Sequence, residues 1–415
     1  MKNKFFSIIL ILFAIFFASI TTINAWYLPN KTSFALGGVY NDGLDTTVDS
    51  NYAHNAYSTM GLSYTKKLNN TTMSTVMESH GNNTSYLNSG IVFMSGHGNS
   101  SLMSFMNNGT NKFYIDNTNV TSGSYIGIGN YVSALNALFV FAGCETAKGN
   151  SNISSYVVSQ GAKASIGWTT SVNAGSHTNW LKRFNNKIKD KTTTVSAAKS
   201  SADGHIYLDS RVKNGKIYGY GNYNPWFFMN GGSHSSSRFE TNKYKDIYSL
   251  SDNEYIISKD GSFETMDELA TKFISEKLDK NFDKKDYKLE INGNDIIYYD
   301  YILYVDNIRT SLGYTISLVD GKIINIYDNM QGQNAEGIKE KLTNKNTSNN
   351  DNIKRISLTF EKQALEKYKG QKVKEYLSTP YYDFEKDALS FVGLYDIEFT
   401  DGTFGSVIFT KSINE

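Results

Sequence analysis

Two patterns of hydrophobic residues, short apolar runs and apolar residues at helical spacing, alternate along the first 230 residues and predict strands separated by helices. Short apolar runs at 34–40, 91–94 and 137–142 predict buried strands, and 161–168 resembles them. Helical spacing predicts helices near 49–60, 72–80, 153–159, 175–188 and 193–202, and residues 101–106 and 112–115 predict a hairpin. Strands separated by helices pair in parallel through right-handed crossovers. The sequence therefore predicts an α/β fold, a three-layer α/β/α sandwich.

The pattern changes in the last part of the chain. Most of the Asp, Glu, Lys and Arg residues lie after position 250, in less than half of the chain. Turn-forming residues at 231–251 predict a domain boundary, which gives domains at 26–245, 255–342 and 353–415. A helix at 266–278 and strands at 287–291, 296–305 and 311–326 predict an α+β module. It resembles the small PepSY and cystatin-like modules that accompany secreted peptidases.

An eight-residue pattern occurs twice in this part. Residues 314–321 and 395–402 both begin with Tyr, place Ile and an apolar residue in register and end in Asp-Gly. Alternation followed by Asp-Gly predicts a hairpin. The polar stretch 343–352 separates the copies and predicts a linker. The sequence leaves open whether there are two small modules or one domain built from two related halves.

The N-terminus has the pattern of a secretory signal peptide. Lys2 and Lys4 precede an apolar stretch at 5–20, and a small residue, Ala25, ends the segment at 1–25. The apolar run is shorter than the roughly 20 residues of a spanning helix, which argues against the alternative of an uncleaved anchor. We therefore expect a secreted or cell-surface protein that begins near Trp26 and keeps no membrane segment after signal removal.

Charge and cysteine content exclude several classes of protein. The formal net charge is +1 and there are no basic clusters, so the sequence shows no positively charged surface that would bind nucleic acid. The single cysteine, Cys144, allows no disulfide within the chain. The remaining histidines show no metal-ligand spacing, so no metal or other cofactor is predicted. His80 is expected to end a helix.

The candidate chemistry belongs to Cys144 and His97. Each directly follows a predicted strand, so the two side chains are expected at the same edge of a parallel sheet. A thiol is mostly protonated at neutral pH and needs an imidazole to take its proton. The backbone N–H groups of Gly98 and Cys144 are the expected oxyanion donors. The alternative is that Cys144 is a small buried core residue, and Glu145 either orients the site or, as favoured, caps the next helix.

These residues carry a family resemblance. A strand ending in Ser-Gly-His-Gly, followed by a strand ending in Cys, resembles the caspase-like cysteine peptidases, which include legumain, clostripain, the gingipains, separase and the CHAT domains. The likeness extends over roughly 33–205, through the blocks at 142–147, 161–168, 180–184 and 195–199. It implies a caspase-haemoglobinase-like fold, a protein or peptide substrate, His97 as general base and Cys144 as the nucleophile that forms a thioester.

The resemblance also implies a substrate pocket. Its walls would come from 41–45, from the two residues before Cys144 and from 168–170. Clostripain-like members carry an acidic residue two positions before the cysteine, where this chain has Ala142. Asp42 or Asp45 would then supply a negative charge, unless they only form the turn. Trp168 and Thr169 are the other pocket candidates, although Trp168 also fits plain core, as do Trp180 and Phe184.

Three functions remain open at this stage. The first is a secreted cysteine endopeptidase whose C-terminal region positions, restrains or targets the catalytic domain. The second is a catalytically silent caspase-like scaffold that binds partners outside the cell. The third, a sortase-like transpeptidase, lacks its Thr-Leu-x-Thr-Cys signature and would not show alternating helices and strands.

Overall fold

A computed structural model describes residues 30–79, 85–107, 111–230, 263–320, 322–343 and 350–413. The predicted signal peptide at 1–25, His80 and the predicted boundary at 231–251 lie outside these ranges, as does most of the predicted linker. Within them, no helix has the length and apolar character that crossing a bilayer requires.

Residues 30–230 form a six-stranded, mostly parallel sheet with helices, and four further strands, β4 to β7, that lie outside it. The strands are β1 (Thr32–Gly37), β2 (Tyr64–Asn69), β3 (Ile91–Ser95), β4 (His97–Gly98), β5 (Leu102–Asn107), β6 (Asn111–Asp116), β7 (Tyr125–Gly127), β8 (Leu138–Ala142), β9 (Ala164–Trp168) and β10 (Gly215–Gly219). The helices are α1 (Thr47–Ser58), α2 (Met73–Val76), α3 (Ile153–Ser159), α4 (Ala174–Ile188), α5 (Val195–Asp203) and α6 (Pro225–Met229). The sheet has the order β10-β9-β8-β3-β1-β2, and only β10 runs antiparallel to its neighbour.

Both faces of this sheet are covered. Ile91 and Phe93 of β3 point to one face and share a core with α1, α4 and α5. Val92 and Met94 point to the other face and share a core with α3 and the hairpin β5–β6. Alternate side chains of a strand face opposite sides, so a continuous apolar run supplies both layers. The predicted three-layer α/β fold is confirmed, although α2 is shorter than the predicted helix at 72–80.

The C-terminal part is built around a second, mostly antiparallel sheet. Its strands are β11 (Tyr287–Gly293), β12 (Ile297–Val305), β13 (Ile308–Val319), β14 (Lys322–Asp328), β15 (Lys372–Asp383), β16 (Ala388–Glu398) and β17 (Phe404–Ser412), and its helices are α7 (Phe263–Lys277), α8 (Ala335–Thr343) and α9 (Asn350–Lys367). The predicted strand at 311–326 is two strands, β13 and β14, joined as a hairpin.

The two copies of the repeated pattern belong to one continuous sheet. β13 and β15 pair in parallel through Arg309 and Tyr381 and so connect the copies. The strand order is β11-β12-β13-β15-β16-β17, and it continues into the N-terminal part as β4-β5-β6-β7. The second copy, the hairpin β16–β17, therefore adjoins the segment that contains His97.

Candidate active site

The ends of β3 and β8 bring His97 and Cys144 to one place. These strands are parallel neighbours, and their register pairs Ser95 with Ala142. His97 and Cys144 each follow two residues later, so both leave the sheet at its carboxyl edge. Gly96 lies between β3 and β4, where a Cβ atom would stand 2.1 Å from the Tyr40 hydroxyl oxygen. Glycine is needed at position 96 for this close approach, because a Cβ atom would also lie 2.8 Å from the Ser104 carbonyl oxygen.

His97 is buried between two aromatic rings and one carboxylate. The rings of Tyr40 and Phe399 lie edge-on to the imidazole, with centroids 4.8 and 4.6 Å away. Asp42 Oδ2 is 3.0 Å from Nε2, within ion-pair distance, although the two atoms are not aligned as a hydrogen bond. Burial acts to raise the pKa of Asp42, but contact with His97 outweighs it and the pKa is lowered. Asp42 therefore stays ionised beside the imidazole.

Cys144 is buried, with 6% of its surface exposed. Its Sγ accepts a hydrogen bond from the Val172 N–H at 3.4 Å and lies 3.7 Å from the Val172 carbonyl oxygen. Burial raises the pKa of the thiol to about 12, although the Val172 backbone contact and the charge of Arg211 act in the opposite direction. The thiol is therefore protonated at neutral pH and needs a base to become a nucleophile.

His97 and Cys144 line one small cavity together with Asp49 and His177. Its volume is about 30 Å³, far below the roughly 300–1,000 Å³ typical of ligand pockets. Burial lowers the pKa of His177 to about 3, so this imidazole is neutral. Its ring packs edge-on against Trp168 at 4.1 Å.

Asp49 is the acidic residue that lines the cavity, and the sequence did not predict this position for it. It lies in the first turn of α1 and is buried. The hydroxyl groups of Ser95 and Thr178 each donate to its carboxylate at 2.7 Å. Burial raises its pKa to about 6, although both hydroxyl groups act to lower it. The only sequence signal was an acidic residue in a helical stretch that faces the sheet.

The other pocket candidates lie elsewhere. Asp45 is exposed and accepts hydrogen bonds from the backbone and the hydroxyl of Thr47, as a turn former does. Trp168 is fully buried, and its indole N–H donates to Val212 O at 2.7 Å. The Thr169 hydroxyl donates to Asn214 O. None of the four predicted pocket residues, Asp42, Asp45, Trp168 and Thr169, is among the residues that line the cavity.

Two smaller expectations have clear outcomes. The expectation that Glu145 caps the next helix is wrong: Asn152 caps α3 in a capping box with Ser155. Glu145 has a positive φ of 60° and pairs with Lys148. Trp180 and Phe184 are core residues as expected, because both are fully buried and their rings stack at 5.1 Å.

No metal site is visible in the described ranges, where no group of three or more His, Cys, Asp and Glu side chains is placed to hold an ion.

The chain resembles known proteins only in its fold. No protein-family model matches the chain, and neither does any curated protein.

Several solved structures are similar to the chain, among them the following two. One is the crystal structure of the Arg-specific cysteine proteinase gingipain R (RGPB), with 9% identity, a TM-score of 0.34, and 47% of each chain covered. The other is the complex of the Porphyromonas gingivalis RgpB pro- and mature domains, with 9% identity and a TM-score of 0.28. That match covers 73% of this chain and 62% of the other. The chain thus spans less than two thirds of either structure.

Proposed function

We propose that this protein is a cysteine endopeptidase that uses Cys144 as nucleophile and His97 as general base. One observation carries the proposal: the only cysteine of the chain and a buried histidine leave adjacent parallel strands at matching positions and line the same cavity. A cysteine that only fills the core is not expected to line a cavity together with a buried imidazole and two further titratable groups, Asp49 and His177.

The reaction would proceed by acyl transfer. His97 takes the thiol proton while Sγ attacks the carbonyl carbon of the scissile peptide bond, which gives a tetrahedral oxyanion and an imidazolium ion. The C–N bond then breaks, and the imidazolium returns its proton to the leaving amine. Water, activated by the same imidazole, hydrolyses the thioester and restores the thiol. Asp42, ionised beside His97, would stabilise the imidazolium.

The oxyanion donors proposed for this reaction are backbone groups. Gly98 ends β4 and Cys144 lies two residues beyond β8, so their N–H groups would approach a carbonyl oxygen that sits between the two segments. Backbone donors of this kind typically contribute about 3–4 kcal/mol to transition-state stabilisation.

We further propose that the residue on the acyl side of the cleaved bond is Arg or Lys. Asp49 supports this proposal because its carboxylate is a buried negative group in the cavity beside Cys144. A cationic side chain that reached it would form a charge-assisted hydrogen bond away from water, and an apolar side chain would leave its negative charge without a cation. Asp49 would thereby replace the acidic residue that is missing at Ala142.

We also propose that the protein is secreted, a proposal supported by the N-terminal sequence pattern. Expression with its own N-terminus should release a chain that begins near Trp26 into the medium. N-terminal sequencing of the released protein tests this, and retention of the full-length chain in the membrane fraction would favour the anchor.

Covalent labelling tests the peptidase directly. A lysyl acyloxymethylketone in excess should modify Cys144, as intact mass shows, and should leave Cys144→Ala unmodified. His97→Ala should slow the labelling by about 100-fold or more, as expected for loss of a general base. His54→Ala is the matched control, because His54 lies on α1 outside the cavity lining. Equal labelling rates in the wild type and in His97→Ala, each rising in proportion to the probe concentration, would favour the silent scaffold.

A further inference from the structure

The C-terminal hairpin, defined as β16, β17 and the turn at 399–403, contacts the candidate site through its backbone. Phe404 of β17 pairs antiparallel with Gly98 of β4. The Asn99 side chain donates to Gly402 O at 2.9 Å across the same junction. An exposed strand edge is where an extended peptide commonly binds, because it can complete the backbone pairing. Here a strand of the same chain already fills that position.

Gly405 lies directly on the imidazole of His97. A Cβ atom at this position would be 2.8 Å from both Cε1 and Nδ1 of the ring, a distance that real Cβ atoms essentially never show. Gly405 does not have a positive φ, so the backbone itself would accept alanine. The glycine is therefore required by its contact with His97 and with the neighbouring Phe399 ring.

Ser406, the next residue, lies beside the thiol. Its hydroxyl donates to Val172 O at 3.1 Å, and this carbonyl oxygen also lies 3.7 Å from Cys144 Sγ. Phe404, Gly405 and Ser406 all line the cavity that contains His97 and Cys144. Three consecutive residues of β17 therefore cover the base, the nucleophile and the edge beside them.

Charged side chains hold the hairpin in this position. Lys112 Nζ is 2.6 Å from Asp401 Oδ2 in the turn, and the Tyr114 hydroxyl is 3.3 Å from the same oxygen. Near the end of β16, Arg211 binds both carboxylate oxygens of Asp396, at 2.6 and 2.9 Å. These contacts join the C-terminal hairpin to two separate segments of the N-terminal part, β6 and the turn that contains Arg211.

We propose that residues 399–406 are an intramolecular inhibitor that occupies the peptide-binding edge of β4, so that the folded chain is latent until β17 leaves. This inference rests on the proposed function. Gly405 presents no side chain to the cavity, so the segment blocks the edge without offering the basic group that Asp49 is proposed to bind. A substrate would enter by replacing the pairing of Phe404 with Gly98.

The test uses the full chain and the variant Gly405→Ala, whose methyl group would collide with His97. The matched control is Gly337→Ala, a substitution in α8 whose added methyl would have only the Asn334 side chain within 4 Å. The first measurement is the rate at which iodoacetamide alkylates Cys144, read from intact mass because the chain has no other cysteine. The second is hydrolysis of a lysyl peptide.

Gly405→Ala should raise the alkylation rate about tenfold or more over the wild type and Gly337→Ala, at an unchanged circular dichroism spectrum. Equal rates in all three folded proteins would overturn the proposal. If Gly405→Ala does not fold, Asp401→Asn takes its place. Loss of the Lys112 ion pair should then raise the alkylation rate a few-fold, and an unchanged rate would again overturn it.

The two measurements separate this proposal from the proposed function. Faster alkylation together with new peptide hydrolysis supports both. Faster alkylation in both Gly405→Ala and Asp401→Asn, without hydrolysis of any peptide by either, supports occupancy of the edge by β17 and removes the peptidase. Hydrolysis by the wild type at the rate of Gly405→Ala supports the peptidase and removes the inhibitor.

Discussion

The hydroxyl of Ser406 and the thiol of Cys144 meet at a single atom, the carbonyl oxygen of Val172. The distances are 3.1 Å from Ser406 Oγ and 3.7 Å from Cys144 Sγ. Cys144 and Val172 belong to the N-terminal part, whereas Ser406 belongs to the last strand of the second sheet. The immediate surroundings of the thiol are thus completed by a residue from the far end of the chain.

Ser406→Ala should loosen this contact without unfolding the protein. Loss of one partly buried hydrogen bond costs about 1 kcal/mol, so we expect alkylation of Cys144 to accelerate by up to roughly fivefold. Ser412→Ala, at the other end of β17, is the control and should alkylate at the wild-type rate. A Ser406→Ala rate equal to that of the control would mean that the hydroxyl does not help to hold β17 in place.

Asp49→Asn should remove the proposed preference for basic residues. In the Gly405→Ala background, kcat/KM for lysyl and arginyl peptides should fall by roughly 10- to 100-fold, because a charge-assisted hydrogen bond is worth about 1.5–3 kcal/mol. Peptides with an uncharged residue at this position should change little. Asp45→Asn, at an exposed turn, should leave both rates unchanged. A similar loss for charged and uncharged peptides would show that Asp49 supports the fold and not specificity.

Asp49 also makes a prediction about pH and stability. Its pKa rises from 3.8 to about 6 on folding, chiefly through burial. Folding therefore favours the protonated carboxyl, so its contribution to stability is complete below pH 3.8 and is lost as the pH rises through about 6. A shift of this size corresponds to at most about 3 kcal/mol.

Asp49→Asn cannot ionise, so the variant should gain stability relative to the wild type as the pH rises from about 4 to about 8. His177, whose pKa is lowered to about 3, has the opposite pH dependence, but it is present in both proteins and cancels in the difference. Urea unfolding of both proteins at several pH values measures this. Parallel stability profiles would show that the carboxyl of Asp49 titrates alike in the folded and unfolded chain.

Lys213 is expected to be critical for joining the two sheets. It is fully buried and forms an ion pair with Asp300 of β12, which is 1% exposed. Burial lowers the pKa of Lys213 and raises that of Asp300 despite their mutual attraction. Removing one member of a buried pair leaves the other uncompensated, which costs about 3–5 kcal/mol.

Lys213→Met should therefore lower the free energy of unfolding by several kcal/mol in urea titrations. Lys187→Met is the matched control, because the Lys187–Asp190 pair is exposed and should contribute about 0–1 kcal/mol. If the two variants lose the same small amount, the buried pair does not stabilise the junction.

The sequence was sufficient for four of the six strands of the central sheet and for the expectation that His97 and Cys144 lie at the same edge of it. Long apolar runs predicted β3 and β8, and the equal spacing of His97 and Cys144 beyond them followed from strand geometry. β2 and β10 were not predicted, because they are edge strands with half-buried side chains and no continuous apolar run. Edge strands of this kind are positioned mainly by backbone hydrogen bonds to their neighbour, and these bonds do not require a particular pattern of side chains.

The pocket and the occupied edge were beyond prediction for a different reason. Asp49 begins the predicted helix at 49–60, but its surroundings depend on Thr178, which is 129 residues away in sequence. Gly405 looks like any strand glycine until the position of His97 is known. Such roles arise from contacts between distant segments, which neither periodicity nor spacing encodes.

The hydrogen bond between Asn99 and Gly402 joins residues 303 positions apart. At about 5–20 residues per second, synthesis would deliver the second partner roughly 15–60 s after the first. The residues of β3 and β8 are thus synthesised well before those of β17, so the thiol can be covered only after the much later segment 399–406 has been made.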